Sequence, residues 1–283
     1  MQEGSPSKTA FGVARRRAAH QILDDPPLIL DDPIALRILG AETVAGITAE
    51  PDKHDNAFAR AMRAFLVARS RYAEDHLSNA VEEGVTQYVV LGAGFDTFAY
   101  RNPFAHLRVF EVDHPATQQW KRHLLAEGAI KVSPSLTYVS VDFETQTLTE
   151  GLAQAAFDFD EPAFFSWLGV TPYLTLEAFR ATIRAIGSMP EKSGVTFEYM
   201  LLRSLLGFHE KVAVDMLSER VAMAGEPLQL FFSPEQMQQE LRSAGFGRIE
   251  EMTSNDLNSR YFKQRSDGLQ LRGNAARLIT AWV

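Results

Sequence analysis

The chain contains no cysteine. Disulfides, thiolate nucleophiles, cysteine-ligated zinc and iron–sulfur clusters are therefore all excluded. No apolar run approaches the length that crosses a bilayer, and the opening "MQEGSPSKTA" lacks the apolar core of a secretory signal. Basic charge is in deficit, with 28 Lys and Arg against 36 Asp and Glu. A general nucleic-acid surface needs clustered cations, and the one basic cluster, Arg15-Arg16-Arg17, is short and reads as a solvated helix face. The 7 histidines show neither His-x-His nor His-x-x-x-His spacing, so no metal site is expected. A cytoplasmic globular enzyme without membrane or nucleic-acid partner is the expectation; its oligomeric state is open.

What is present is a change of rhythm near residue 84. At 283 residues the chain suits one domain. Residues 11 to 47 read as helices broken by "DDPPLILDDP", whose two Asp-Asp-Pro turns punctuate the chain. Residues 56 to 83 carry Phe58, Met62, Phe65, Leu66, Tyr72 and Leu77 at helical spacing before Gly84 stops them. Short apolar runs follow at 87–91, 108–112, 137–141, 163–170 and 194–200, with helical stretches such as 115–127 and 175–188 between. This alternation predicts an α/β, doubly wound, mostly parallel sheet covered on both faces. The expected parts are an N-terminal helical segment (1–84), a cofactor-binding core (85–200), a helical cap (201–232) and a C-terminal helix with strands (233–283). Ser233 and Pro234 open the late helix, Gly245 stops it, and "FGRIEEMT" with "SRYFKQR" read as the last two strands.

The stretch "VVLGAGFDTFAYR" places Gly92 and Gly94 directly after the first strand, where a ligand approaches closely only if no Cβ intervenes. A dinucleotide fingerprint would have a third glycine at position 97, which is Thr97, and Asn102-Pro103 cuts the following helix to about two turns. A pyrophosphate site is therefore poorly supported. Glu111 and Asp113 end the second strand at the distance where an acid reaches ribose hydroxyls. On those residues alone, the glycines also suit a plain tight turn and Asp113 a helix cap. "YVSVDFE" adds Asp142, placed to accept from an adenine amine, and Phe143, whose backbone N–H donates to a ring nitrogen. Adenosine held without pyrophosphate is the profile of S-adenosyl-L-methionine.

These segments, with "FEVDHPATQQWKR" and "FFSWLGVTPYL", resemble the leucine carboxyl methyltransferase family of class I S-adenosylmethionine-dependent methyltransferases, polyketide O-methyltransferases among them. The resemblance runs from about residue 10 to about 250. It implies a seven-stranded sheet with a reversed last strand, N-terminal helices and an inserted cap. It assigns Arg71 to the carboxylate of the cofactor's methionine part, Gly92 to the cofactor backbone, Asp113 to ribose, and Asp142 and Phe143 to adenine. Glu111 becomes a supporting group, Arg17 a basic residue near the site, and Tyr173 a wall of the acceptor pocket. One departure stands out: the family's Trp-Glu-Gly is Trp167-Leu168-Gly169 here. Leucine accepts no hydrogen bond from an ammonium group, so backbone carbonyls or another acid must serve.

The expected reaction is methyl transfer to a carboxylate or hydroxyl of a small molecule. A hydroxyl acceptor would be helped by a base, for which His209 and His114 are candidates. Phe208, Phe231 and Phe232 either shape an acceptor pocket or pack in the core. Competing readings are an NAD-dependent oxidoreductase and a non-catalytic adenosine-ligand sensor of the same fold.

Overall fold

The computed structural model of the chain describes residues 7–141 and 146–283. Helix α1 (Lys8–Leu23) begins on Ser7, whose side chain accepts from the Ala10 N–H, and α2 (Pro33–Ala49) begins on Asp32 with proline in its first turn. The first Asp-Asp-Pro thus ends one helix and the second starts the next. A short α3 (Pro51–Asp55) leads into the long α4 (Ala57–Glu82). Leu66, Val67, Tyr72, Ala73 and Leu77 form the buried stripe of α4, and Gly84, with φ +100°, turns the chain into the sheet.

The strands are β1 (Gln87–Leu91), β2 (Arg108–Asp113), β3 (Leu136–Ser140), β4 (Ala163–Trp167), β5 (Gly194–Leu201), the two-residue β6 (Phe231–Phe232), β7 (Arg248–Met252) and β8 (Ala276–Trp282). They run in the order β3-β2-β1-β4-β5-β8-β7, with β6 added beside β5. Pairing is parallel except for β8, which is antiparallel to both β5 and β7. The seven-strand path with a reversed last strand is as the resemblance implies. Between and after the strands lie α5 (Pro115–Glu127), α6 (Leu148–Gln154), α7 (Leu176–Gly187), α8 (Phe208–Met223), α9 (Pro234–Ser243) and α10 (Ser254–Tyr261). Every residue of β1, β4 and β5 is buried, as a sheet covered on both faces requires. Alternation along β1 divides the core. Val89 and Leu91 pack with Phe179 and Met237 of α7 and α9; Tyr88 and Val90 pack with Leu77 and Ala80 of α4.

Two expectations need correction. "SRYFKQR" is not a strand: Thr253 caps α10 reciprocally with Asp256, and Leu257 anchors the helix in the core. The last strand is "ARLITAW", inserted between β5 and β7. The helix after the glycine turn is shorter than two turns. Only a single 3-10 turn, Phe98–Tyr100, forms there, with the Asp96 side chain accepting the Phe98 N–H. The late helix opens on Ser233 and Pro234 as read from sequence.

Candidate functional site

Strand order reverses between β1 and β4, since the chain moves from β1 to β2 and β3 on one side and returns to β4 on the other. Ligands of such sheets sit outside the carboxyl ends at that point. The glycine turn lies there. Gly92 has φ +62°, and a Cβ built on it would stand 2.3 Å from a methyl of Val170. Gly94, φ +47°, faces Ala10 of α1 in the same way at 3.1 Å. A side chain at Gly92 would overlap Val170 outright, and one at Gly94 would crowd Ala10. One strand over, Asp113 spreads its carboxylate across the turn: Oδ2 accepts the Gly94 N–H and Oδ1 accepts the His114 N–H at 2.7 Å. Burial pushes the Asp113 carboxyl above its ordinary value, against the opposing pull of those two N–H groups. Asp142 and Phe143 lie outside the described residues.

A second group of side chains converges at the ends of β4 and β5. Helix α4 runs antiparallel to β5: His76 packs edge-on against Trp282, which pairs with Gly194 at the start of β5. About two turns earlier, Arg69 reaches Glu198 near the strand's far end. Both are buried, at 7% and 3% exposure. Glu198 Oε1 takes the Arg69 guanidinium and also the Gly169 N–H at 2.7 Å, while Oε2 has no hydrogen-bond partner. Gly169 leaves room for Arg69, since a Cβ there would be 2.9 Å from Nη2. Tyr173 lies within the field of Arg69, Glu226 and Glu198, and burial pushes its phenol up to about 12.

The structure brings Gly92, Gly94 and Asp113 together at one turn, and it separates Arg71 from Arg69. Two residues along a helix rotate the side chain by roughly 200°. Arg71 is half-exposed, pairs with Asp75 at 2.7 Å, and lines a surface cleft with Pro26, Pro27, Arg260 and Lys263. It is Arg69 that faces the sheet ends. The signal missed in the sequence was Glu198, an acid inside the apolar run "GVTFEYM", which is costly unless paired.

Arg17 is not on a solvated face. It is 4% exposed and bonds Asp32, Asp96 and Thr97 beneath the glycine turn, so its charge is neutralised inside the protein. Thr97, at the place of a third glycine, belongs to that network. Glu111 is buried against Lys121 at 2.7 Å and Tyr100 at 3.2 Å, below the turn. The His114 ring accepts the Ala116 N–H and caps α5. His209 is exposed at the start of α8, where Phe208 is 76% exposed. Phe232 is a core residue against Phe179.

A doubly wound sheet with one reversed strand, and a glycine turn whose amide is held by an acid from the next strand, define the class I methyltransferase type of nucleoside site. A crystal structure from Thermobifida fusca, provisionally assigned as a methyltransferase, aligns over 99% of this chain and 96% of its own with TM-score 0.57 and 16% identity, a likeness of fold. The family model described as leucine carboxyl methyltransferase matches residues 10–187. YktD of Bacillus subtilis (strain 168), provisionally named an S-adenosyl-L-methionine-dependent methyltransferase, is 30% identical over 95% of each chain. A relative of the same provisional name from Mycobacteroides abscessus is 33% identical over 64% of this chain and 60% of its own.

The chain belongs to the leucine carboxyl methyltransferase family and is an S-adenosyl-L-methionine-dependent methyltransferase. This decides the cofactor against NAD. The residues present fit it: a cradle free of Cβ atoms at Gly92 and Gly94, an acid beside it, and an unpartnered carboxylate oxygen at the sheet ends.

Proposed function

We propose that the enzyme O-methylates a small molecule, with a carboxylate as the better-matched acceptor and a hydroxyl as the alternative. Gly92, Gly94, Asp113, Asp142 and Phe143 are assigned to the nucleoside of the cofactor, and Arg69 takes the carboxylate role first given to Arg71. Each Asp113 oxygen accepts one backbone N–H and retains a lone pair for a ribose hydroxyl. When bound, the cofactor supplies a methyl group on a positively charged sulfur. The chain's own contribution is alignment and the exclusion of water.

One observation carries the preference for a carboxylate. The two candidate bases are otherwise placed: the His114 ring accepts the Ala116 N–H as the cap of α5, and His209 is exposed at the start of α8. Tyr173 is assigned as a hydrogen-bond donor to the acceptor oxygen. A carboxylate arrives ionised and needs no base, whereas a hydroxyl must lose a proton.

The test combines binding and turnover. Calorimetry with S-adenosylmethionine, S-adenosylhomocysteine and NAD should show binding of the two sulfur compounds alone. Asp113→Ala should weaken it about 10- to 100-fold, the range for charge-assisted hydrogen bonds. Formation of S-adenosylhomocysteine is then followed with panels of carboxylic acids and phenols. Unchanged affinity in Asp113→Ala removes the nucleoside assignment; turnover of phenols alone removes the carboxylate.

A further inference from the structure

The family's acid after β4 is replaced by Leu168, and the structure sends that side chain elsewhere. Leu168 packs against an apolar cluster on the α4 side of the sheet that includes Leu30, Tyr72 and Leu278. The methionine end of the cofactor carries an α-ammonium as well as an α-carboxylate, so an acceptor for the ammonium is still required.

Glu198 offers one from the neighbouring strand. Its Oε1 is fully engaged by Arg69 and by the N–H of Gly169, two residues from Trp167 at the end of β4. Its Oε2 is buried and unpartnered. A carboxylate oxygen in that state is costly and calls for a donor. The charge pattern says which donor. Arg69 uses Nη1 on Glu198 and directs Nη2 toward the space above Gly169. The pair thus presents a cationic N–H edge beside a free anionic oxygen and is neutral overall. An anion alone would be drawn to Arg69 and repelled by Glu198. A cation alone would meet the reverse. An α-amino acid zwitterion complements both.

We propose that Glu198 is the acceptor for the α-ammonium group of the cofactor, replacing from β5 the acid absent at position 168, so that Arg69 and Glu198 together read an α-amino acid zwitterion. This rests on the cofactor site proposed above. Glu198 is then a specificity residue: it separates ligands with the amino group from those without it.

The experiment is calorimetry on wild-type protein and Glu198→Gln with three probes: S-adenosylhomocysteine, its desamino analogue, and 5′-deoxy-5′-methylthioadenosine, which lacks the amino acid part. Gln keeps the shape and an oxygen for Gly169 but loses the charge. Wild type should prefer S-adenosylhomocysteine to the desamino analogue about 10- to 100-fold, the range for a hydrogen bond between charged groups. Glu198→Gln should lose that preference while holding methylthioadenosine within about 3-fold of wild type, which also reports that the variant is folded. Equal weakening for all three probes, or an unchanged preference, overturns the proposal. If wild type binds none of the probes, the cofactor site itself is refuted, and the Glu198 assignment with it.

Discussion

Gly92→Ala tests the turn that organises the site, because two separable effects are visible at that position. At φ +62° an L-residue costs about 1–2 kcal/mol relative to glycine. The new Cβ would also stand 2.3 Å from a Val170 methyl, and relieving such an overlap by displacing packed side chains costs about 1–3 kcal/mol. Together they predict a loss of roughly 2–5 kcal/mol in urea denaturation. The two effects part company in the double variant. Val170→Ala alone removes two methyls and costs about 1 kcal/mol. In the Gly92→Ala, Val170→Ala background the overlap is gone and only the backbone strain remains. The two substitutions should therefore couple favourably by about 1–3 kcal/mol. Additivity within about 0.5 kcal/mol would refute the reasoning, since residues that do not touch behave that way. Calorimetry with S-adenosylhomocysteine adds a functional reading. The new Cβ is directed at Val170, so Gly92→Ala should weaken binding by displacing the turn, and the double variant should recover part of that affinity.

Arg69 and Arg71 make a paired test of helix face. Arg69→Ala leaves Glu198 buried without its counter-charge and should cost about 3–5 kcal/mol together with cofactor affinity. Arg71→Ala should change stability by no more than about 0.5 kcal/mol and leave binding intact, which denaturation and calorimetry check side by side. Glu111 supplies a pH dependence: burial raises its carboxyl from 4.5 to about 7. A raised folded-state value means that stability is complete below 4.5 and falls as pH rises through 7, by up to about 3 kcal/mol. Glu111→Gln lacks this titration and should gain on wild type between pH 5 and pH 8. Urea curves at the two pH values that stay in step would count against it.

Much of the fold was legible because its causes are local. Each Asp-Asp-Pro, the Ser233-Pro234 start and the glycine stops act within one turn of backbone, and apolar spacing separates the strands from α4, α5 and α7. "SRYFKQR" was misread because its deciding signal, the Thr253–Asp256 cap, lies just before the segment. The glycine turn and Asp113 were legible as well, since tight approach restricts residue type strongly and the two strands are consecutive.

The remainder required the chain to be folded. Periodicity marks a buried stripe on α4, but it does not say which arginine beside that stripe faces the strand ends, and Arg69 does where Arg71 does not. Arg17 looked like one of three solvated cations until Asp32 and Asp96 were brought against it. Arg69 and Glu198 are 129 residues apart, on elements with no local signal in common. Local chemistry acts over a few residues and is written in order along the chain. Charge pairing acts over a few ångströms, between residues that meet only once the sheet has formed.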